Sequence, residues 1–123
     1  MVWRGVIIEE SLNDKSVLES VTEVGYSESF LEEEEEHAVH FHQFEISDDK
    51  KGWFIGEVEK HLKHGFYAHI CKESTIVVVF KGKSFEFNSS EKEKLETARN
   101  YGLSVGVIRD QMPFEELIRD PFY

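Results

Sequence analysis

Residues 66–87 constrain the fold more than any other part of the sequence. Runs rich in β-branched and aromatic residues at 66–71, 75–80 and 84–87 are separated by short polar or glycine-containing turns. This pattern predicts an antiparallel β-meander. The middle run is apolar from Ile76 to Phe80, so we expect a central strand with both faces covered, one by helices and one by further chain or a second subunit.

The length of the first turn in this meander decides where His69 lies. A two-residue turn at 73–74 pairs His69 with Val78, which favours a hydrogen-bonded and partly buried histidine. A three-residue turn pairs Ile70 with Val78 and places His69 on the other face of the sheet with Tyr67. Because side chains alternate along a strand, one residue of register reverses the answer, and both registers remain open.

Weaker patterns predict the elements around the meander. The expected elements are strands at 2–9, 21–30, 37–46 and 103–108, and helices at 49–64, 90–101 and 114–118. The apolar stripe of the first helix consists of Trp53, Ile55, Val58 and Leu62. Gly25 marks a bend or bulge in the second strand. We therefore expect one α+β domain over residues 1–123, with a mostly antiparallel sheet, a central meander, two main helices and a short C-terminal helix.

Charge and cysteine content limit the expected partners and compartment. The 25 acidic and 14 basic side chains give a net charge of −11, which repels phosphate groups, so we expect no nucleic-acid partner and no membrane partner. Cys71 is the only cysteine, so no intrachain disulfide can form, and the apolar run at 6–8 is too short for a signal peptide. These features favour the cytoplasm. Five consecutive acids at 32–36 favour a solvated loop or strand edge.

The histidines offer the most evident route to metal binding. His40 and His42 are two residues apart, so in a strand they share a face about 6.6 Å apart and can reach one metal ion. His69 and Cys71 have the same spacing on another strand. If the two strands are neighbours, these four side chains supply nitrogen and sulfur ligands suited to zinc or a similar divalent metal. The alternative is that His40 and His42 are half-exposed strand residues without a ligand.

Two further groups of side chains have simpler explanations. His61 and His64 fall near the end of the first helix, where polar groups interact favourably with the last carbonyls. Cys71 has no recognisable activating partner in the sequence, so we expect a small apolar filler rather than a nucleophile. Tyr67, His69 and Glu86 contain the groups needed for acid–base catalysis if the three-residue register lines a groove with them.

Four segments carry a resemblance to a family of small, uncharacterised archaeal and bacterial proteins. These segments are 5–12 (GVIIEESL), 66–68 (FYA), 79–81 (VFK) with Phe85, and 101–107 (YGLSVGV). The chain resembles members of this family over its whole length. The resemblance implies no assigned activity, so it transfers no functional residue. The family often has an acid where this chain has His69 and a proline where it has Arg109, which weakens a soft-metal set that includes His69.

The sequence favours a non-catalytic binding or interaction module of the cytoplasm. A homodimer formed through the sheet face without helices is one form of this interpretation, and an unidentified protein or small molecule is another partner. The first alternative is a histidine-based metal-binding protein. The second alternative is a small enzyme with Tyr67, His69 and Glu86 in a cleft. Apart from a divalent metal, no cofactor is expected.

Overall fold

The structure, a computed structural model, describes residues 2–30 and 38–122. Within these ranges the chain forms an open six-stranded antiparallel sheet and three helices, which confirms the predicted α+β class. The strands are β1 (Val2–Ile8), β2 (Thr22–Phe30), β3 (Ala38–Ser47), β4 (Ala68–Lys72), β5 (Thr75–Phe80) and β6 (Lys83–Asn88), in the order β2-β3-β1-β4-β5-β6. The helices are α1 (Asp48–His61), α2 (Lys92–Ser104) and α3 (Phe114–Arg119). The acidic run predicted to be a loop or edge at 32–36 lies outside the described residues.

Strands β4, β5 and β6 form the predicted meander. Glu73 and Ser74 make a two-residue turn, and β4 pairs with β5 so that His69 lies opposite Val78. Glu73 has a φ of 56°, the left-handed conformation that a tight hairpin turn requires. The two-residue turn, and not the three-residue turn, therefore sets the register of this hairpin.

The sheet has two core-forming faces: α1 covers the first, and α2 and α3 cover the β4–β6 part of the second. On the first, the α1 face, strand residues pack against α1; on the second, the α2 face, they pack against α2 and α3. The buried strand residues of the α1 face are Trp3, Ile7, Phe44, Ile46, Ala68, Ile70, Val77 and Val79. Those of the α2 face are Cys71, Ile76, Val78, Phe80 and Phe87. Both sides of β5 are thus covered from within one chain, and the predicted second subunit is not needed there.

Helix boundaries and faces differ from the sequence-based expectation in two places. The strand predicted at 103–108 is wrong, because α2 continues to Ser104 and the chain then turns at Gly106, whose φ is 91°. Trp53 was expected in the buried stripe of α1, yet it is 51% exposed, whereas Phe54 and Val58 are fully buried. Val58 and Leu62 of the predicted stripe are buried and Ile55 is half-buried, so Trp53 is the one member placed wrongly, and Phe54 takes its place.

The part of the α2 face that β1 and β3 form is not covered by a helix. The core on this face contains described residues of β4, β5 and β6, and none of β1 or β3. Here Val2 is 42% exposed, and Val6, Ile8 and Phe41 are half-buried. We call this region the open half-sheet. The predicted α3, by contrast, covers its own sheet through Phe114, Leu117 and Ile118.

Candidate functional site

The two pairs of predicted metal ligands lie on opposite faces of the sheet. His42 is opposite Ile7 of β1, so His40 and His42 are on the α1 face. His69 is opposite Val78, so His69 and Cys71 are on the α2 face. The sheet itself separates the pairs, and His40, His42, His69 and Cys71 do not converge on one ion.

Three side chains of the β4 region contact the carbonyl groups of the C-terminal segment instead. The Tyr67 hydroxyl donates to the Gln111 carbonyl. The Nε2–H of His69 donates to the Pro121 carbonyl at 2.7 Å, and the Cys71 thiol donates to the Leu117 carbonyl at 3.3 Å. We call these three contacts the C-terminal anchor. They tie residues 111–121 to the α2 face and satisfy polar groups that would otherwise be unpaired.

Burial keeps the members of the C-terminal anchor uncharged. Loss of hydration lowers the pKa of His69 to about 4, although its bond to Pro121 acts in the opposite direction. The same effect raises the pKa of Cys71 to about 12 and raises the pKa of Tyr67 above its ordinary value. Neutral groups of this kind suit packing and hydrogen bonding, and a thiol with so high a pKa is a poor nucleophile.

The predicted catalytic set does not share a cleft. Glu86 is opposite Val77 and therefore lies on the α1 face, while Tyr67 and His69 are on the α2 face. Its carboxylate forms an ion pair with Lys51 of α1 at 2.6 Å. Tyr67, His69 and Glu86 cannot act together on one substrate, because the sheet lies between them.

The histidine in the last turn of α1 occupies the place that the sequence predicts for it. The Nε2 atom of His61 lies 3.7 Å from a carboxylate oxygen of Glu57, one turn earlier. His64 follows the helix and is exposed. Among the described residues, neither His61 nor His64 belongs to a group of three side chains close enough to hold one metal ion.

A different group of side chains meets at the other end of the sheet, on the α1 face. We call it the His/Glu cluster, and it consists of Glu9, Glu10, Glu23, His40 and His42. The 3₁₀ turn Glu9–Ser11 directly follows β1, and Ile8 is opposite Phe41, so this turn lies beside His40. Pairing of β2 with β3 brings Glu23 close to His42 from the other side.

Each imidazole of the cluster contacts carboxylates. Both carboxylate oxygens of Glu10 contact His40. Oε1 accepts from the His40 backbone N–H at 2.6 Å, and Oε2 lies 2.5 Å from Nδ1 of the His40 ring. The Nε2 of His42 lies 3.3 Å from Glu9 Oε1, and its Nδ1 contacts Glu23. Such pairs hold the rings in fixed orientations.

The ligand atoms of Glu9, Glu10 and His40 all lie within 4.8 Å of one another. Their side chains are about one-third exposed, so an ion from solvent can reach them. Partial burial acts to raise the pKa of Glu10, but the hydrogen bonds from the His40 ring and backbone outweigh it and lower the pKa. Glu10 is therefore an anion at neutral pH.

Aromatic and charged neighbours complete the surroundings of the cluster. The Tyr26 ring stacks on His40 with centroids 5.9 Å apart and meets the edge of His42 at 5.3 Å. The ammonium of Lys15 lies 3.5 Å from Glu9 Oε2. Among the described residues, three carboxylates and one ammonium give the cluster a formal charge of about −2, which attracts a divalent cation.

Sequence reasoning identified two of the five residues of this cluster and missed the other three. The spacing of His40 and His42 correctly places both imidazoles on one face. Glu9, Glu10 and Glu23 were missed because no local motif connects them to residues 17 to 33 positions away. The only available signal was the pairing of β1 and β2 with β3, which no pattern within a single strand reveals.

Comparisons with known proteins assign no relative to this chain. No family model matches it, and no curated protein or solved structure shows significant similarity to it. In the described part of the chain, no helix is both long and apolar enough to cross a membrane.

Proposed function

We propose that this protein binds a divalent transition-metal ion at the His/Glu cluster. The observation that carries the proposal is the approach of three ligand atoms, from Glu9, Glu10 and His40, to within 4.8 Å of one another. One imidazole and two carboxylates match the ligands of zinc and related ions, and they leave further coordination positions for water or another group. The sequence-based zinc hypothesis is therefore kept, with different partners for His40.

Binding requires only small movements of the side chains. Ligands placed about 2 Å from a tetrahedral ion are roughly 3.4 Å apart, so the 2.5 Å contact between Glu10 and His40 must open slightly. The hydrogen on Nδ1 of His40 must also leave that atom, because a metal binds a ring nitrogen that carries no hydrogen, and protons compete with the metal for this nitrogen. We therefore expect metal affinity to fall as the pH is lowered.

His42 and Glu23 support the site without belonging to the ligand trio. His42 lies between Glu9 and Glu23 and contacts both. An imidazole that donates to a ligand carboxylate fixes the orientation of that carboxylate, as groups outside the ligand set commonly do. The His42 side chain is 16% exposed and that of Glu9 is 29% exposed, so packing restricts His42 more than the ligand it contacts.

The proposal retains three expectations from the sequence. A location in the cytoplasm is supported by the single, buried cysteine, which forms no disulfide within the chain. Kinship with the small prokaryotic family that the chain resembles is retained as well. A non-catalytic role is the simplest form of the proposal, since Tyr67 and His69 of the predicted catalytic set make the structural contacts of the C-terminal anchor.

Metal titration of protein made without a histidine tag tests the proposal. After treatment with a chelator, isothermal titration with Zn²⁺ should show one site per chain, and binding should raise the melting temperature. Glu10→Gln and His40→Gln should each weaken binding by about 10- to 100-fold. His64→Gln, which changes an exposed histidine outside the cluster, is the matched control and should bind as the parent does.

Two results would exclude the His/Glu cluster as a metal site. If Zn²⁺, Ni²⁺ and Mn²⁺ all fail to bind stoichiometrically, or if His64→Gln weakens binding as much as His40→Gln, the cluster is not the metal site. The Glu9, Glu10 and His40 contacts would then be ion pairs that only join β3 to the turn after β1.

A further inference from the structure

The outward side of α1 has features that packing within the chain does not explain. With 3.6 residues per turn, Asp49, Gly52, Trp53, Gly56 and Lys60 fall in one stripe about 100° wide. All five are exposed, and they lie opposite the buried residues Phe54 and Val58. We call this stripe the α1 outer surface.

Trp53 and its glycine neighbours form a projection beside an open space. Trp53 is 51% exposed, although a tryptophan buries more apolar area than any other side chain. A Cβ atom added at Gly52 or Gly56 would meet nothing within 4 Å, so no contact in the described chain requires glycine there. Glycine inside a helix lowers its stability, which makes two such residues costly without a use.

The charges of α1 are complementary to the same helix running in the opposite direction. If two copies meet antiparallel about the midpoint between Phe54 and Ile55, Trp53 of one copy lies over Gly56 of the other. Asp49 then faces Lys60 of the other copy. This pair joins opposite charges, and the two-fold axis repeats it at the other end of the paired helices. The match depends on the order of charges along α1 and is independent of the exposure of Trp53.

We propose that the α1 outer surface is a self-association site, where a second copy of this chain docks its own α1 antiparallel. The indole of Trp53 packs over the bare backbone at Gly56 of the other copy, and the reverse contact forms at the same time. The two Asp49–Lys60 pairs, one at each end of the paired helices, set the direction and register. This proposal is independent of metal binding.

The α1 outer surface suits a second copy better than the open half-sheet does. The apolar residues of the open half-sheet are mostly half-buried already, and its ion pair, Arg4 with Glu45, is satisfied within one chain at 2.9 Å. On α1, by contrast, Lys60 has only a 3.5 Å contact with Glu57 and is 71% exposed. A net charge of −11 opposes association, so a self-complementary charge pattern is needed to direct it.

Sedimentation of the metal-free chain over a wide concentration range provides the first test. The parent chain should show a monomer–dimer equilibrium with a dissociation constant in the micromolar range. Trp53→Ala should weaken association by at least about tenfold, as loss of an interface tryptophan commonly does. Leu103→Ala, which removes an exposed apolar side chain from α2, is the matched control and should leave the equilibrium unchanged.

Gly56→Leu separates a role in association from a role in folding. Leucine fits the exposed helix position and has the higher helix propensity, so the melting temperature should rise. The same side chain fills the space that Trp53 of the other copy would occupy, so the dimer should disappear. A variant that is more stable and yet monomeric cannot be explained by partial unfolding.

Charge reversal at the ends of α1 tests the register. Asp49→Lys and Lys60→Glu should each be monomeric alone, because like charges face each other twice in either homodimer. Mixed together they should form a heterodimer, since both facing pairs are then opposite in charge. A parent chain that stays monomeric, an equilibrium unaffected by Gly56→Leu, or a mixture that does not associate would overturn the proposal. A dimer that is lost only on Phe41→Glu would also overturn the proposal, because the contact would then lie on the open half-sheet.

Discussion

The C-terminal anchor and the His/Glu cluster use the same kinds of side chain for different purposes. His69 of the anchor is 5% exposed, and its ring donates to a backbone carbonyl. His40 of the cluster has a side chain that is 29% exposed, and its ring contacts a carboxylate. Both histidines are in central strands, and each has a second candidate ligand two residues further along.

The difference lies in what faces each histidine. A backbone carbonyl is uncharged and accepts the one hydrogen bond that a neutral imidazole donates, so it suits an imidazole that remains buried. A carboxylate is itself a metal ligand, so a carboxylate beside an imidazole forms part of a coordination set. The distinction between a structural and a binding histidine is thus made by other strands and turns, and the spacing within the strand is the same in both.

Removal of the His69 ring should give the largest effect on stability. His69→Ala leaves the Pro121 carbonyl without its donor and opens a cavity under the C-terminal segment. We expect the free energy of unfolding to fall by about 3 to 4 kcal/mol, as measured by chemical denaturation. Zn²⁺ affinity of the folded fraction should not change. An equally large loss of stability in metal-free His40→Ala would remove the contrast between the two histidines.

Lowering the pH should also destabilise the fold through His69, with a slightly smaller loss of unfolding free energy than His69→Ala gives. The pKa of His69 is about 4 in the folded chain and near 6.5 when unfolded, so between these values the unfolded state binds the additional proton. Stability from this group is therefore complete above pH 6.5 and is lost as the pH falls towards 4. The slope is about 1.4 kcal/mol per pH unit, up to roughly 3 kcal/mol in all.

The pH dependence needs a variant as reference, because carboxylates titrate over part of the same range. His69→Gln retains a donor for Pro121 but takes up no proton, so its stability should depend less steeply on pH between 6.5 and 4. Denaturation at several pH values for both proteins gives the difference. Parallel curves for the parent and the variant would show that His69 takes up its proton equally easily in the folded state.

The meander was predictable because its signals are local. The two turns and the apolar run of β5 lie within 66–87, and they determine which strands are adjacent. The register of the first turn could not be chosen in advance, since both lengths give acceptable strands. The predicted strand at 103–108 was wrong because β-branched residues after Gly102 resemble a strand, whereas the tertiary packing of Gly102 against Phe80 continues the helix.

The His/Glu cluster was predictable only as far as His40 and His42. Its carboxylates come from the turn after β1 and from β2, and their approach depends on β3 lying between those two strands. The α1 outer surface was mispredicted for a related reason. Trp53 fits an apolar stripe by spacing, but Phe54 is the residue that packs on Phe44, with ring centroids 5.2 Å apart.

Glu23→Gln should give the smallest effect and define the edge of the metal site. Glu23 is 51% exposed and contacts His42, which is outside the proposed ligand trio. Loss of its charge therefore acts on the metal only through His42 and through a solvent-screened field. We expect Zn²⁺ affinity to fall by about three- to tenfold, less than in Glu10→Gln, and the difference from the parent should shrink as salt is added.

Glu93→Gln, which removes the same charge from an exposed position on α2, is the control for the general field of the protein. It should change the affinity less than Glu23→Gln does, because interactions between distant exposed charges are screened. If Glu23→Gln instead loses as much affinity as Glu10→Gln, the ion lies between His42 and Glu23. His42, the better-buried imidazole of the cluster, would then be the ligand. His40 would then have a structural role, as His69 does.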